Sequence, residues 1–183
     1  LTYTAWDLEN FARDCGYDGP PFLWNDDRRF QLRCEVDAIF FHLYLPCDEQ
    51  GNWITARIED GAVRDETEAE LTTLKSHFPT PRDAVAYIME TFPIVKKKDL
   101  KRTAVTDDTG KTILTPGTYI TKTTILSLYD SMLTARNQGT QWTSPLSPPP
   151  GPPTDADGNF IPFKEWAGNI PSHIHPPRDE AVS

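Results

Sequence analysis

The chain has 183 residues, a length that suggests one domain with a tail. Apolar residues make up 38% and charged residues 25%, which supplies enough apolar side chain for a core and argues against wholesale disorder. The 27 acidic against 18 basic residues give a net charge of −9, which excludes a generally basic nucleic-acid-binding surface but not a local basic patch. No apolar run reaches the roughly 18 residues of a membrane span.

The first residue bears on whether the chain is part of a longer protein, and the cysteines bear on its cellular compartment. It begins with Leu1 and shows no charged or apolar leader, so we expect a piece of a longer protein, with a processed mature chain as the alternative. Cys15, Cys34 and Cys47 are odd in number and sparse, which favours free thiols in a reducing cytoplasm over disulfides.

Apolar spacing and capping signals predict five helices. The first is expected to be capped by Thr4, and the long second helix to bury Phe41 against it. Thr80, Pro81 and Asp83 form a strong start for the fourth helix, which Pro93 is expected to end. The predicted helices cover residues 4–15, 26–44, 66–77, 80–93 and 118–137.

The predicted fold class is mainly α. We expect a small helical domain of four to five helices and a proline-rich extended tail. The turn-rich residues 107–111 predict one short β-hairpin, with a surface loop as the alternative. Residues 1–143 are the predicted helical module, and 144–183 the tail, partly packed on the body through its aromatic residues. Ten of the seventeen prolines lie in this tail, which is polyproline-like where they cluster.

Sequence motifs of catalysis are missing. The chain contains no glycine-rich phosphate loop, dinucleotide fingerprint, Cys-x-x-Cys pair or nucleophile elbow, and no Asn-Pro-Pro-Tyr or Asp-Pro-Pro-Tyr tetrapeptide for amino-methylation. We therefore predict no catalytic residue, no bound cofactor and no enzymatic activity for this chain.

A metal site in the tail is one reading of His173 and His175, which share one side of an extended segment near Asp179 and Glu180. The alternative is a solvated, proline-flanked tail. We favour the tail, because the sequence identifies no further ligand outside it.

The long helix carries Glu35, Asp37 and His42, which allow an acid/base reading. Arg33 precedes Asp37 by four residues, so a ladder of ion pairs along the helix is the simpler interpretation. His42 lies among apolar residues and is predicted to be a core or interface histidine.

The single basic run is the candidate contact to a DNA backbone. It consists of Lys96, Lys97, Lys98, Lys101 and Arg102, to which Lys122 is added from the last helix. On spacing alone, a solvated charge run offset by Asp99 is the favoured alternative.

Several blocks of sequence carry a family resemblance. The most specific is Leu-Thr-Tyr-Thr-Ala-Trp-Asp-Leu at 1–8 with Gly-Tyr-Asp-Gly-Pro-Pro-Phe at 16–22; others lie at 28–44, 87–96 and 119–130. They resemble the C-terminal end of large bacterial adenine-specific DNA methyltransferases of restriction–modification and phage-defence systems. The resemblance implies a bacterial cytoplasm and a DNA-modifying parent whose upstream core, and not this chain, binds S-adenosylmethionine.

Three functions follow as hypotheses. The leading one is a non-catalytic C-terminal accessory module that supports target recognition and contacts DNA backbone. The second is a protein–protein docking module of a phage-defence complex, and the third a small independent enzyme that uses His42 or the tail histidines. Expected partners are the rest of the parent polypeptide, duplex DNA and other defence-system proteins, and no membrane. The predicted structural or interface residues are Trp6, Tyr17, Trp24, Phe41, His42 and Tyr44.

Overall fold

The chain is mainly helical in a computed structural model that describes residues 3–54, 68–106, 112–115, 117–147 and 154–173. A 3-10 turn at Trp6–Leu8 precedes the first α-helix. The α-helices of the described residues are α1 Glu9–Asp14, α2 Asp26–Tyr44, α3 Glu68–His77, α4 Pro81–Glu90, α5 Pro93–Thr103, α6 Ile120–Asn137 and α7 Phe163–Ala167. Strands β1 Val105–Thr106 and β2 Thr112–Thr115 pair antiparallel. The turn-rich residues 107–111, on which the hairpin prediction rested, lie outside the described residues.

The chain divides into two compact units. Residues 1–32 and 145–183 form the first unit, and residues 33–144 form the second. The sequence pattern instead predicts one helical module over residues 1–143 and a separate tail over 144–183. The tail belongs with the N-terminal segment because the two share backbone hydrogen bonds.

Those hydrogen bonds replace the predicted cap of the first helix. The amide nitrogens of Trp6 and Asp7 donate to the carbonyl oxygens of Pro171 and Ser172 at 3.1 and 3.0 Å. A helix start leaves amide donors without intrahelical partners, and here the tail backbone accepts from them. The N-cap of the 3-10 turn is Ala5, without a side-chain capping hydrogen bond, and not the predicted Thr4.

The fourth predicted helix begins as expected and ends earlier. Thr80 and Asp83 form a capping box, in which the Thr80 amide donates to Asp83 Oδ2 at 2.9 Å and the Asp83 amide to Thr80 Oγ1 at 3.3 Å. However, α4 ends at Glu90, and Pro93 opens α5 instead of stopping a helix. Proline fits the first turn of a helix because the amide hydrogen it lacks has no partner there. The basic run is therefore helical.

A buried carboxylate joins α5 to the start of α6. Asp99 is only 5% exposed, and its Oδ2 accepts a hydrogen bond of 2.7 Å from the Thr121 amide in the first turn of α6. Its Oδ1 accepts one of 3.2 Å from Arg102 Nη2. A carboxylate at this position satisfies a free amide and interacts favourably with the positive end of the helix dipole.

The chain between β2 and α6 passes very close to α5. A Cβ at Gly117 would lie 1.8 Å from the backbone oxygen of Leu100. Next to it, the Thr103 hydroxyl accepts a hydrogen bond of 2.6 Å from the Thr118 amide. Glycine is needed at 117 because no side chain fits between these two backbone segments.

The core of the second unit lies where α6 packs on α4 and α5. Four apolar residues of α6 are buried, namely Ile125, Leu128, Tyr129 and Met132. Across from them, Val85 and Met89 of α4 are buried. Arg82 and Asp130 add a bidentate ion pair between α4 and α6, with N–O distances of 2.6 and 2.7 Å.

The apolar end of α2 is less buried than the sequence predicted. Phe41 is half-buried and lines a groove with Ile88 and Met89 of α4, not the predicted core against the first helix. Tyr44 is 71% exposed. Because residues 38–45 are apolar almost all round the helix, one neighbouring surface cannot cover every face.

Two turns have the same sequence pattern and hydrogen bonds. Asp48 and Asp155 each begin an Asp-x-x-Gly-Asn turn whose glycine has a positive φ of 81° or 84°. In each, an aspartate Oδ1 accepts from the amide of the following asparagine, at 2.8 Å from Asn52 and 2.9 Å from Asn159. These donors favour the charged carboxylate and lower the pKa of both aspartates. One such turn lies in each unit.

Substituting alanine for Gly117 should destabilise the fold by about 2–3 kcal/mol, because the new methyl group meets backbone that cannot rotate away. Urea unfolding followed by circular dichroism measures this. Gly168→Ala is the matched control: its nearest atoms would lie 3.9 Å away, so its effect should stay within about 0.5 kcal/mol. Equal stability of the two variants would contradict the close approach.

Candidate functional site

An apolar groove opens on the second unit between α2 and the α4–α5 pair. It has a volume of about 400 Å³. One wall comes from the end of α2, the other from α4, Phe92 and α5, and Thr121 of α6 contributes a polar edge. The lining residues are Asp37, Phe40, Phe41, Tyr44, Leu45, Ile88, Met89, Phe92, Val95 and Thr121.

The α2 wall is held in place by His42. Its ring stacks on Tyr129 of α6 with centroids 3.9 Å apart and an angle of 4° between the planes. Nε2 lies 3.0 Å from the Tyr129 carbonyl oxygen, which can only accept, so Nε2 carries the proton and donates. With His42 turned toward α6, Phe40 and Tyr44 point away from the core and stack on each other at 5.9 Å.

Burial around His42 lowers its pKa, because desolvation disfavours the imidazolium. A neutral, hydrogen-bonded imidazole stacked on a tyrosine is well suited to hold two helices together. This environment agrees with the reading of His42 as a structural residue.

The three titratable residues of α2 face different surroundings. Glu35 is buried and accepts a hydrogen bond of 3.0 Å from the Ser144 hydroxyl. Asp37 lies on the groove, and among the described residues no ion pair joins it to Arg33, so the predicted ladder is wrong there. Glu35, Asp37 and His42 therefore do not form one acid/base centre.

Glu90 neutralises two of the predicted DNA-contacting lysines. Its carboxylate oxygens lie 2.6 Å from Lys96 Nζ and 2.6 Å from Lys122 Nζ. Hydrogen bonds from both ammonium groups lower the pKa of Glu90 to about 2. Arg102 is likewise paired, with Asp99. The cluster that the sequence predicted is therefore partly engaged inside the fold.

Three cations remain exposed on α5. Lys97, Lys98 and Lys101 make no ion pair with any residue in the part of the chain that the structure describes. Because α5 is a helix of 3.6 residues per turn, these positions fall on one side of it, together with Ile94, which is 70% exposed. We call this surface the basic face of α5.

The remaining predicted interface aromatics lie in the first unit. Trp24 is 59% exposed and donates its indole hydrogen to Asp26 Oδ1 at 2.9 Å, while the Arg29 guanidinium lies 3.9 Å above its ring. Tyr17 donates to the Pro20 carbonyl oxygen at 3.1 Å. Trp6 is half-buried.

The three cysteines are free thiols, as the sequence predicted. Cys15, Cys34 and Cys47 are all free, and Cys34 and Cys47 are buried. Burial raises the pKa of Cys34 to about 12, so it stays a neutral thiol at physiological pH.

The described residues contain no group of three or more potential metal ligands. His173 is exposed. His175, Asp179 and Glu180, which completed the predicted metal cluster, lie outside the described residues. Likewise, no described helix is both long and apolar enough to span a membrane.

Comparison with protein-family models, with curated proteins and with solved structures gives no match to this chain. The resemblance to adenine-specific methyltransferases therefore rests on the sequence blocks alone. The groove itself was not anticipated from the sequence, although Ile88, Phe92 and Val95 lie within one resembling block, 87–96. The sequence shows only that these residues are apolar and lie where two helices meet. Residues of this kind can belong either to a buried core or to an exposed groove.

His42 should make the fold less stable as the pH falls. The pKa of His42 in the folded chain lies below its ordinary value of 6.5. At a pH between these two pKa values, the unfolded chain binds more protons than the folded chain does. The free energy of unfolding therefore decreases as the pH falls through 6.5. His42→Gln should make this decrease smaller between pH 7 and pH 5.5, measured by urea unfolding. His77→Gln, on the exposed side of α3, is the control and should keep the wild-type slope. Identical slopes in all three chains would contradict the buried environment.

Proposed function

We propose that this chain is a non-catalytic accessory module of a DNA-modifying protein, and that the basic face of α5 contacts the backbone of duplex DNA. The sequence resemblance supports an adenine-specific methyltransferase as the parent. The observation that carries the DNA contact is the placement of Lys97, Lys98 and Lys101 on one exposed face without ion-pair partners among the described residues.

The charge distribution sets how strong this contact can be. A net charge of −9 repels DNA at long range, so three lysines give only weak affinity for free duplex. Within a parent that already holds DNA, the same lysines bind phosphates at high local concentration. Phosphate contacts position a protein without reading bases, so the module supports recognition and does not itself determine the sequence recognised.

Replacing Lys97, Lys98 and Lys101 by Gln should remove most duplex binding by this chain, measured by fluorescence anisotropy at several salt concentrations. The slope of log K against log salt should become shallower by about 0.9 for each phosphate that a lysine no longer neutralises. Binding should depend little on DNA sequence.

Lys96→Gln with Lys122→Gln is the matched control, because both ammonium groups are already paired with Glu90. This double variant should retain nearly all of the affinity. Equal losses of affinity in the two variants would contradict the division into paired and exposed lysines, and an unchanged affinity in both would contradict the DNA contact.

A docking module is the second candidate, and the groove supports it. Phe40, Tyr44 and Phe92 are 49%, 71% and 46% exposed around a concave apolar surface. Exposed apolar surface of this kind is typical of protein-interaction sites. Docking through such a surface depends weakly on salt, whereas phosphate contacts weaken steeply, so the salt dependence distinguishes the two candidates.

A further inference from the structure

Asp37 is the charged residue among those that line the apolar groove. We propose that the groove binds an amphipathic helix of a partner protein that carries a lysine or arginine, with its apolar side chains between α2 and α4–α5 and its cation paired with Asp37. This inference rests on the proposed docking function and specifies the chemistry of the partner.

The first argument is that Asp37 lacks a partner of its own. It makes no hydrogen bond or ion pair with any described residue. Its side chain is exposed on one side, but the apolar groove walls reduce its hydration enough to raise its pKa, and the field of Arg33 offsets this only in part. A cation brought to this carboxylate would replace the missing hydration with an ion pair.

The second argument is the aromatic surface beside the carboxylate. Four aromatic rings line the same groove, from Phe40, Phe41, Tyr44 and Phe92. Aromatic faces attract lysine and arginine cations, and they accept the apolar stems of these side chains as well. A carboxylate among aromatic rings therefore discriminates between a basic and an acidic partner.

The third argument is the shape of the groove. Its walls are helices, and it is an open apolar groove with a volume of about 400 Å³. Amphipathic helices bind in such hydrophobic grooves through apolar anchors spaced three or four residues apart. The net charge of −9 further favours the approach of a basic segment.

Two lysines of the basic face of α5 point away from the groove. On a helix, Lys97 and Lys101 lie about 160° and 120° around the axis from Val95, the α5 residue that lines the groove. Lys98 lies about 60° from Val95, at the groove's edge. The partner's cation is therefore expected on the α2 side, at Asp37 and away from Lys98, and Lys97 and Lys101 stay open for DNA.

The test is a selection from a displayed library of 16-residue peptides. The library keeps leucines at helical spacing and randomises the other positions equally among Lys, Glu and Gln. Selection against the wild-type chain should enrich Lys over Glu at one position. Selection against Asp37→Asn should return that position to the input ratio, and selection against Asp37→Lys should enrich Glu there.

A selected peptide should then bind Asp37→Asn about tenfold more weakly than wild type, measured by fluorescence anisotropy. Glu49→Gln, which removes an exposed carboxylate that does not line the groove, is the matched control and should bind as wild type does. Phe40→Ser should weaken binding of the same peptide, which places it in the groove. Circular dichroism of each variant establishes that it is folded.

The outcomes separate this inference from the docking function. Peptides that need Phe40 but show no charge preference, or that bind Asp37→Asn as tightly as wild type, would overturn the inference and leave docking in place. If no peptide is enriched, or if none is sensitive to Phe40→Ser, the inference and the docking function both fail.

Discussion

The buried carboxylate of Asp99 is the contact on which the arrangement of the second unit depends. It accepts from the Thr121 amide at the start of α6 and from Arg102 on its own helix, so one side chain determines how α5 meets α6. Burying a charge is costly unless it is paired and hydrogen-bonded, and Asp99 is both. The close backbone approach at Gly117 seals the same junction. Once this side of α5 is buried, the helix geometry leaves Lys97 and Lys101 on the opposite side, in solvent.

The same packing divides the basic residues into two groups. Glu90 lies near the junction of α4, α5 and α6, where Lys96 and Lys122 both reach it. In the sequence, Lys96 is indistinguishable from Lys97, since both belong to one run. In the structure, Lys96 is paired with Glu90, whereas Lys97 has no ion-pair partner among the described residues. The difference follows from the 100° that separates successive residues on a helix.

The groove has a related origin. The end of α2 is apolar almost all round. One side of it packs on α6, because His42 stacks on Tyr129 and is hydrogen-bonded to its carbonyl oxygen. The other apolar side chains then form one wall of a concave surface facing α4 and α5. Apolar periodicity predicts which side chains favour burial, but it does not predict whether another part of the chain packs against each of them. For this reason the sequence placed Phe41 in a core, whereas the structure places it half-buried at a groove.

The sequence alone determined the helical class and the starts of α2 and α4, because apolar period, capping residues and proline act locally. It predicted the hairpin from turn residues for the same reason. Only tertiary structure decided which lysines are free, that Asp99 is buried at the start of another helix, and that the tail accepts hydrogen bonds from Trp6 and Asp7. Those features join residues between 6 and more than 160 positions apart, and their energies depend on burial and geometry that local patterns do not encode.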